Sequence, residues 1–187
     1  MRISKEQART NRQRVIDAAS ELFRARGFEA VPVSELMQAA GFTHGGFYNH
    51  FPSKEGLAAE ALASAWAQVA LERQRAGSLP HFLRRYLSHG ARKAPGQTCP
   101  AAALAGDVAR QSDEVKDVFA SGLDDMIESL AVSLGRTNKM TARDRAIDLV
   151  TRMVGALMLS RAVPDEHPLA DEILRVALKA AQREARQ

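Results

Sequence analysis

Apolar residues recur along nearly the whole chain at three- and four-residue spacing, and no stretch alternates with period two, which confines the sequence to an all-α fold. Val15, Ala19, Leu22 and Phe23 share one helical face, and Gly27 stands where a C-terminal cap belongs. A second helix is expected from Pro32, a residue suited to a first helical position, to Gly41, with Leu36, Ala39 and Ala40 inward. A third opens at Thr43 and closes at Phe51-Pro52. A fourth starts at Ser53, with Glu55 in its first turn, and continues to Arg75, where "AGSLP" interrupts the pattern. Beyond it the apolar positions mark helices from Leu79 to Ser88, from Pro100, around Val115 to Leu134, around Ala146 to Met158, and from Leu169 to Ala180. "GARKAPGQT", "GRTNKM" and "PDEHP" read as the loops between them. About nine helices result. They divide into a small unit over 1–52 and a larger bundle over 53–187, with the helix over 53–75 as connector.

Composition excludes several classes. At 187 residues, 45% hydrophobic and 26% charged, the chain has the balance of an ordinary globular protein. Its longest apolar runs, such as "VGALML" at 154–159, fall far short of the roughly 20 residues of a membrane span. The start, "MRISKEQARTNRQR", lacks the apolar core of a secretory signal. A lone cysteine, Cys99, suits a reducing cytoplasm, which is the expected location. Residues 1–26 hold seven basic side chains (Arg2, Lys5, Arg9, Arg12, Arg14, Arg24, Arg26) against Glu6, Asp17 and Glu21, so the whole net charge of +4 resides there. Such an arm fits a polyanionic partner, and it equally fits a solvated helix start.

Within this helical text, "GFTHGGFYNHFPSKEGL" (41–57) stands apart. Adjacent glycines in a helix cost about 1 kcal/mol each relative to alanine. Three compact helices in some fifty residues, the second and third joined by a turn at Gly41, have the pattern of a helix-turn-helix, whose second helix enters the DNA major groove. Phe47 and Phe51, four apart, anchor the third helix to its neighbours. Thr43, His44, Gly45 and Tyr48 lie on another side. The missing side chains at Gly45 and Gly46 would let main chain approach a duplex, while Tyr48, His50 and Lys54 can donate to phosphates. Under the competing reading the glycines serve close packing between helices.

"GFEAVPVSELMQAAGFTHGGFYNHFPSKEGL" (27–57) resembles the DNA-binding domain of the TetR family of bacterial transcriptional regulators, in particular the branch carrying "THGGFY". The resemblance implies an all-helical homodimer that binds double-stranded operator DNA, in many members as a repressor released by a small molecule. It places Thr43, His44, Gly45 and Gly46 where the recognition helix meets DNA, Tyr48 and His50 at phosphate-contacting positions, and Lys54 at the phosphate-contacting lysine of the next helix. Asn49 joins this set, although many relatives have tyrosine there. His44 and Gly46 also depart from the common lysine or arginine and threonine, and Val31-Pro32 replaces the common threonine cap. These differences bear on the operator sequence.

The larger half resembles the family less specifically. The last two helices have apolar faces too wide for one neighbour, with Gly155, Ala156, Ala177 and Ala180 permitting close approach. Pairing with their copies in a second subunit would bury both faces, and packing within one subunit is the alternative. Cys99 precedes Pro100 and is the expected N-cap of "PAAALAGDVAR". There the helix dipole favours a thiolate, making it a candidate sensor of oxidants or electrophiles, with a small apolar residue at a helix entry as the alternative. The fourth to eighth helices are the candidate place for an effector pocket, with Trp66, Phe82, Tyr86, Cys99, Phe119, Met126 and Met153 as candidate lining and ordinary core as the alternative for each. No metalloprotease, phosphate-loop or dinucleotide motif occurs, and the five histidines (44, 50, 81, 89, 167) never fall at i, i+3 or i+4. No metal, cofactor or enzymatic activity is therefore expected.

Overall fold

Each helix begins and ends where local chemistry provides for its unpaired backbone groups. The computed structural model describes residues 4–135 and 140–186. α1 (Lys5–Arg26) starts at Ser4, whose hydroxyl accepts from the Gln7 N–H at 3.1 Å, and stops at Gly27 with φ 83°. Its buried face, Val15, Ile16, Ala19 and Phe23, occupies only the second half of the helix. The first turns are largely exposed. Arg2 of the basic arm lies outside the described residues.

α2 (Val33–Ala39) begins one residue later than expected. Pro32 is extended (ψ 154°) and serves as N-cap instead of first helical residue, with no side-chain capping bond. Its C-terminal end is a Schellman motif: Phe42 N–H donates to the Met37 carbonyl at 2.8 Å and Gly41 N–H to the Gln38 carbonyl at 2.9 Å. This requires φ 81° at Gly41, and a Cβ there would also sit 2.8 Å from Arg14 Nη2. The expected third helix is a six-residue 3₁₀ helix, His44–Asn49, in place of an α-helix. So short a segment, with two glycines and no side-chain cap, gains little from longer-range bonds and closes its turns with i→i+3 bonds.

α3 (Lys54–Ala76) is capped by Ser53, whose hydroxyl accepts from Gly56 N–H at 3.0 Å, and ends at left-handed Gly77. The remaining helices are α4 (Leu79–Tyr86), α5 (His89–Lys93), α6 (Pro100–Val108), α7 (Asp113–Leu134), α8 (Ala142–Ala162) and α9 (Leu169–Glu184). Nine α-helices, two 3₁₀ stretches and no strand make up the described residues. The stretch "GARKAPGQT", expected to be loop, holds most of α5 and a 3₁₀ turn, Pro95–Gln97. Ser88 starts α5 by accepting from Ala91 N–H at 3.0 Å, a cap hidden among turn-forming residues. Of the expected "GRTNKM" loop, residues 136–139 lie outside the described residues. A capping box between Thr141 and Asp144 opens α8.

One contiguous apolar cluster runs from Val15 to Ala181, and α3 joins the two halves by packing against both α1 and α7. Buried arginines hold carbonyls that no helix satisfies. Arg145 donates to Leu134, Gly135 and Glu184 carbonyls and pairs with the Glu184 carboxylate at 2.6 Å, tying α7, α8 and α9 at one end. Arg92 donates to the carbonyls of Ser160 and Val163 and pairs with Asp165 at 2.8 Å, closing the α8–α9 connection.

Candidate functional site

The segment 43–54 enters the core only at two points. Phe47 and Phe51 are buried, with rings 5.6 Å apart, and fasten the 3₁₀ helix to the body. Arg12 of α1 fastens its end. Its Nε donates to the His50 carbonyl at 3.3 Å, its guanidinium lies 4.6 Å from the Phe51 ring centroid, and it pairs with Glu60 of α3 at 2.5 Å. Arg14 lies over the Phe42 ring at 4.9 Å, beside the Gly41 turn. Both arginines thus position the segment, a role their place in a basic arm did not reveal.

What remains faces outward. Thr43, His44, Gly45 and Asn49 are exposed, and Tyr48 is 73% exposed although the edge of its ring contacts Phe47. A Cβ placed on Gly45 would meet nothing within 4 Å, and one on Gly46 only the tip of Met37 at 3.5 Å. Packing therefore does not demand glycine at 45. His50 and Lys54 are half-buried, the latter as first residue of α3, where positive helix-dipole charge adds to its own. Lys5 and Arg9 stand exposed on α1, whereas Arg26 pairs with Glu35 and Arg24 is buried. The basic arm is consequently narrower than its charge count suggests.

The seven residues expected around one effector pocket are distributed between two cavities and the core. Phe82, Tyr86 and Cys99 line a cavity of about 570 Å³ that α1 and α3 also border, through Arg24, Gln68, Val69 and Glu72, with Leu157 of α8. Trp66 and Met126 line a second, of about 460 Å³, between α3 and α7. Phe119 packs edge-on against Trp66, with centroids 5.7 Å apart. Met153 is fully buried core. A Cβ on Gly122 would fall 2.2 Å from Trp66 Cδ1, so the indole occupies the space that any side chain at 122 would need.

Cys99 is the N-cap of α6, as its neighbour Pro100 suggests, but its ionisation runs opposite to expectation. Burial pushes the thiol above its ordinary range, and this outweighs the Tyr86 hydroxyl, the N–H groups of Ala102 and Ala101, and the charge of Arg161, all of which pull it down. A helix N-terminus favours a thiolate only where solvation permits the charge.

On the outer side of the last two helices, Ile147, Met158, Leu159, Leu169 and Val176 are exposed, and Val154 and Ile173 are half-buried between them. The small residues divide. Ala156 and Ala177 are buried, while Gly155 and Ala180 remain half-open. Among the described residues no cluster of three or more His, Cys, Asp or Glu side chains could hold a metal ion, and no helix is long and apolar enough to cross a membrane.

Residues 15–61 match the family model described as bacterial regulatory proteins, tetR family. An uncharacterised HTH-type transcriptional regulator of Bacillus subtilis, YdgC, is 41% identical over 59 residues, covering 32% of this chain and 30% of that protein. The transcriptional regulator AcrR of Shigella flexneri is 37% identical over 59 residues, 32% of this chain and 27% of its own. These matches thus span under a third of the relatives' length. The transcriptional repressor DhaR of a Mycobacterium species is 24% identical over 183 residues, covering 90% of this chain and 91% of its own. Among solved structures, a transcriptional regulator from Chloroflexus aurantiacus superposes with TM-score 0.76 at 24% identity, covering 97% of each chain. Reduced NemR of Escherichia coli superposes with TM-score 0.72 at 21% identity over 93% of this chain and 96% of its own. At such identities the likeness is one of fold.

Proposed function

We propose that this chain, whose residues 15–61 match the tetR-family model, is a TetR-type homodimeric transcriptional repressor that leaves a palindromic operator when a small molecule binds. Its "THGGFY" segment supports placing it in the branch that carries those residues, and the proposed place of action is the cytoplasm. The observation that carries the reading is Gly45: exposed, with open space where a Cβ would stand, on a short helix that also presents an exposed Tyr48. Backbone at that point reaches a flat or convex surface without an intervening side chain, as close approach to DNA requires. Thr43 and His44 read base edges, Tyr48, Asn49 and His50 fix the register on phosphates, and Lys54 adds charge at a helix N-terminus.

Dimerisation through α8 and α9 follows from their exposed apolar stripe, which a copy of itself would cover around a two-fold axis. The two recognition elements then meet successive major grooves, about 34 Å apart. Small molecules that release the operator bind in the cavities that α3 borders.

Selection of bound sequences from a random DNA pool, followed by fluorescence anisotropy at several salt concentrations, tests the reading. A palindromic consensus and an affinity that falls steeply with salt are expected. Failure to enrich any sequence, or a salt-insensitive complex, would refute it. Leu159→Glu combined with Val176→Glu should yield monomers in sedimentation and lower operator affinity by about 100-fold, because the second half-site is lost.

A further inference from the structure

The cavity behind α1 has an uneven interior. Phe82, Leu157 and Val69 make it apolar, yet its wall includes Arg24, only 4% exposed, and Tyr86, 7% exposed. Arg24 donates to the carbonyls of Ser20 (2.9 Å) and Thr98 (2.8 Å) and to Gln68 Oε1 (2.6 Å). Every one of these acceptors is neutral, and Arg24 has no ion-pair partner among the described residues. Arg161, close behind, is likewise held by neutral acceptors: the carbonyls of Arg92, Ala102 and Ala91 and the Thr98 hydroxyl. Buried cations are ordinarily matched by a counter-charge, because neutral oxygens replace hydration incompletely. The Tyr86 hydroxyl finds no hydrogen-bond partner of ordinary geometry among the described residues, although it lies near enough to Cys99 for each to influence the other's ionisation.

Carboxylates are kept to the rim. Asp17 and Glu21 are exposed, and half-exposed Glu72 pairs with Arg85 at 3.3 Å. Glu21 and Glu72 act on Arg24 from a distance, without reaching it. Arg75 and Arg85 share that rim, so its charge is mixed, while the interior offers one guanidinium and one phenol donor above an apolar floor, enough for a single carboxylate.

We propose that this cavity takes an apolar small molecule ending in a single carboxylate, whose oxygens accept from the Tyr86 hydroxyl and the Arg24 guanidinium. The proposal rests on the effector reading above and narrows it to one ligand class. It also supplies a route to the DNA-binding segment. Arg24 belongs to α1, and its bond to the Thr98 carbonyl is one of α1's ties to the segment 95–99. A Cβ on Gly96 in that segment would stand 2.8 Å from the Glu21 carbonyl, so chain and helix are in direct contact. A carboxylate competing for Arg24 loosens α1 from this support.

Calorimetric titration of the full chain with phenylbutyrate, phenylbutanol and phenylbutylamine, which share an apolar body, tests the class. The carboxylate is expected to bind at least about tenfold tighter than either partner, as a charge-assisted hydrogen bond in a buried site would give. Tyr86→Phe, which keeps the ring and leaves Arg24 in place, should reduce that preference by about threefold. Equal affinities, preference for the amine, or a carboxylate preference unchanged by Tyr86→Phe would overturn the proposal. So would absence of carboxylate binding up to about 5 mM. Trp66, the sole tryptophan, lines the other cavity. A change in its fluorescence that Tyr86→Phe leaves intact would place the ligand there and refute the assignment. Operator anisotropy on the same samples separates the two readings. A chain that binds operator but shows no carboxylate preference loses only the ligand class. One that prefers the carboxylate yet binds no DNA loses the regulatory reading.

Discussion

Gly45 and Gly122 look alike in the sequence, each a glycine inside a helical segment, but their surroundings are opposite. Around Gly45 there is open space, whereas the position of a Cβ at Gly122 is already filled by the Trp66 indole. Gly122 lacks a side chain for something inside the molecule; on the function proposed above, Gly45 lacks one for something outside it. At Gly122 the helix-propensity penalty is offset by an aromatic ring that must fit; at Gly45 the proposed offset is an external surface that comes close.

Substitution separates the two. Gly122→Ala should have the largest effect on stability, about 1–3 kcal/mol, because either the indole or α7 must shift. Denaturant unfolding would measure it, and Trp66 emission should change in the folded state. Retained stability would mean that the α3–α7 wall is far more pliable than its packing indicates. Gly45→Ala should leave the fold as stable as before, or more so by up to about 1 kcal/mol. Its operator affinity should nevertheless fall about tenfold as the methyl holds the backbone away from the duplex. Undiminished affinity would break the contrast at its DNA side.

Lys54→Ala gives a smaller and less selective change. Affinity should drop about threefold to tenfold on specific and random DNA alike, and the salt dependence should lose about one unit of slope. A loss confined to the operator would instead assign Lys54 to base reading.

Smallest is the effect of Cys99→Ser on the pH dependence of stability. Burial raises the Cys99 thiol in the folded chain, so the folded state favours the protonated form. That contribution is fully present while the unfolded thiol is protonated, and it is lost as pH rises through the ordinary thiol range towards the folded value. The serine variant, which does not titrate there, should decline less on the alkaline side in urea unfolding. Alkylation of the native thiol should also be slower than in the unfolded chain at the same pH. Fast native alkylation would restore the case for Cys99 as a sensor.

Features governed by nearest neighbours in the chain were legible without coordinates. Gly27 and Gly41 end helices, Ser53 caps α3, and Phe47 and Phe51 turn inward, because each depends on spacing and backbone chemistry that the sequence states directly. Pro32 was misplaced by one residue since its fixed φ suits both a cap and a first helical position. α5 and the 95–97 turn were missed because Gly90 and Pro95 suggest irregular chain, while contacts with α8 and α1 hold them regular. Arg24 counted as part of a basic arm. Only the approach of Gln68 and Thr98, 44 and 74 positions away, makes it a buried donor. Charge reads easily from a sequence, but whether solvent reaches it depends on residues far along the chain.

α3 carries a consequence of its own. Its 23 residues extend about 35 Å without a break, starting at Lys54 and bordering both cavities, which share Val69 as a common wall. On the regulatory function proposed above, such a rod would act as a lever. A tilt of about 5° imposed near Val69 moves the far end by roughly 2 Å, comparable to the margin between a phosphate held and a phosphate released. Occupants of either chamber would therefore work the same bar from opposite sides.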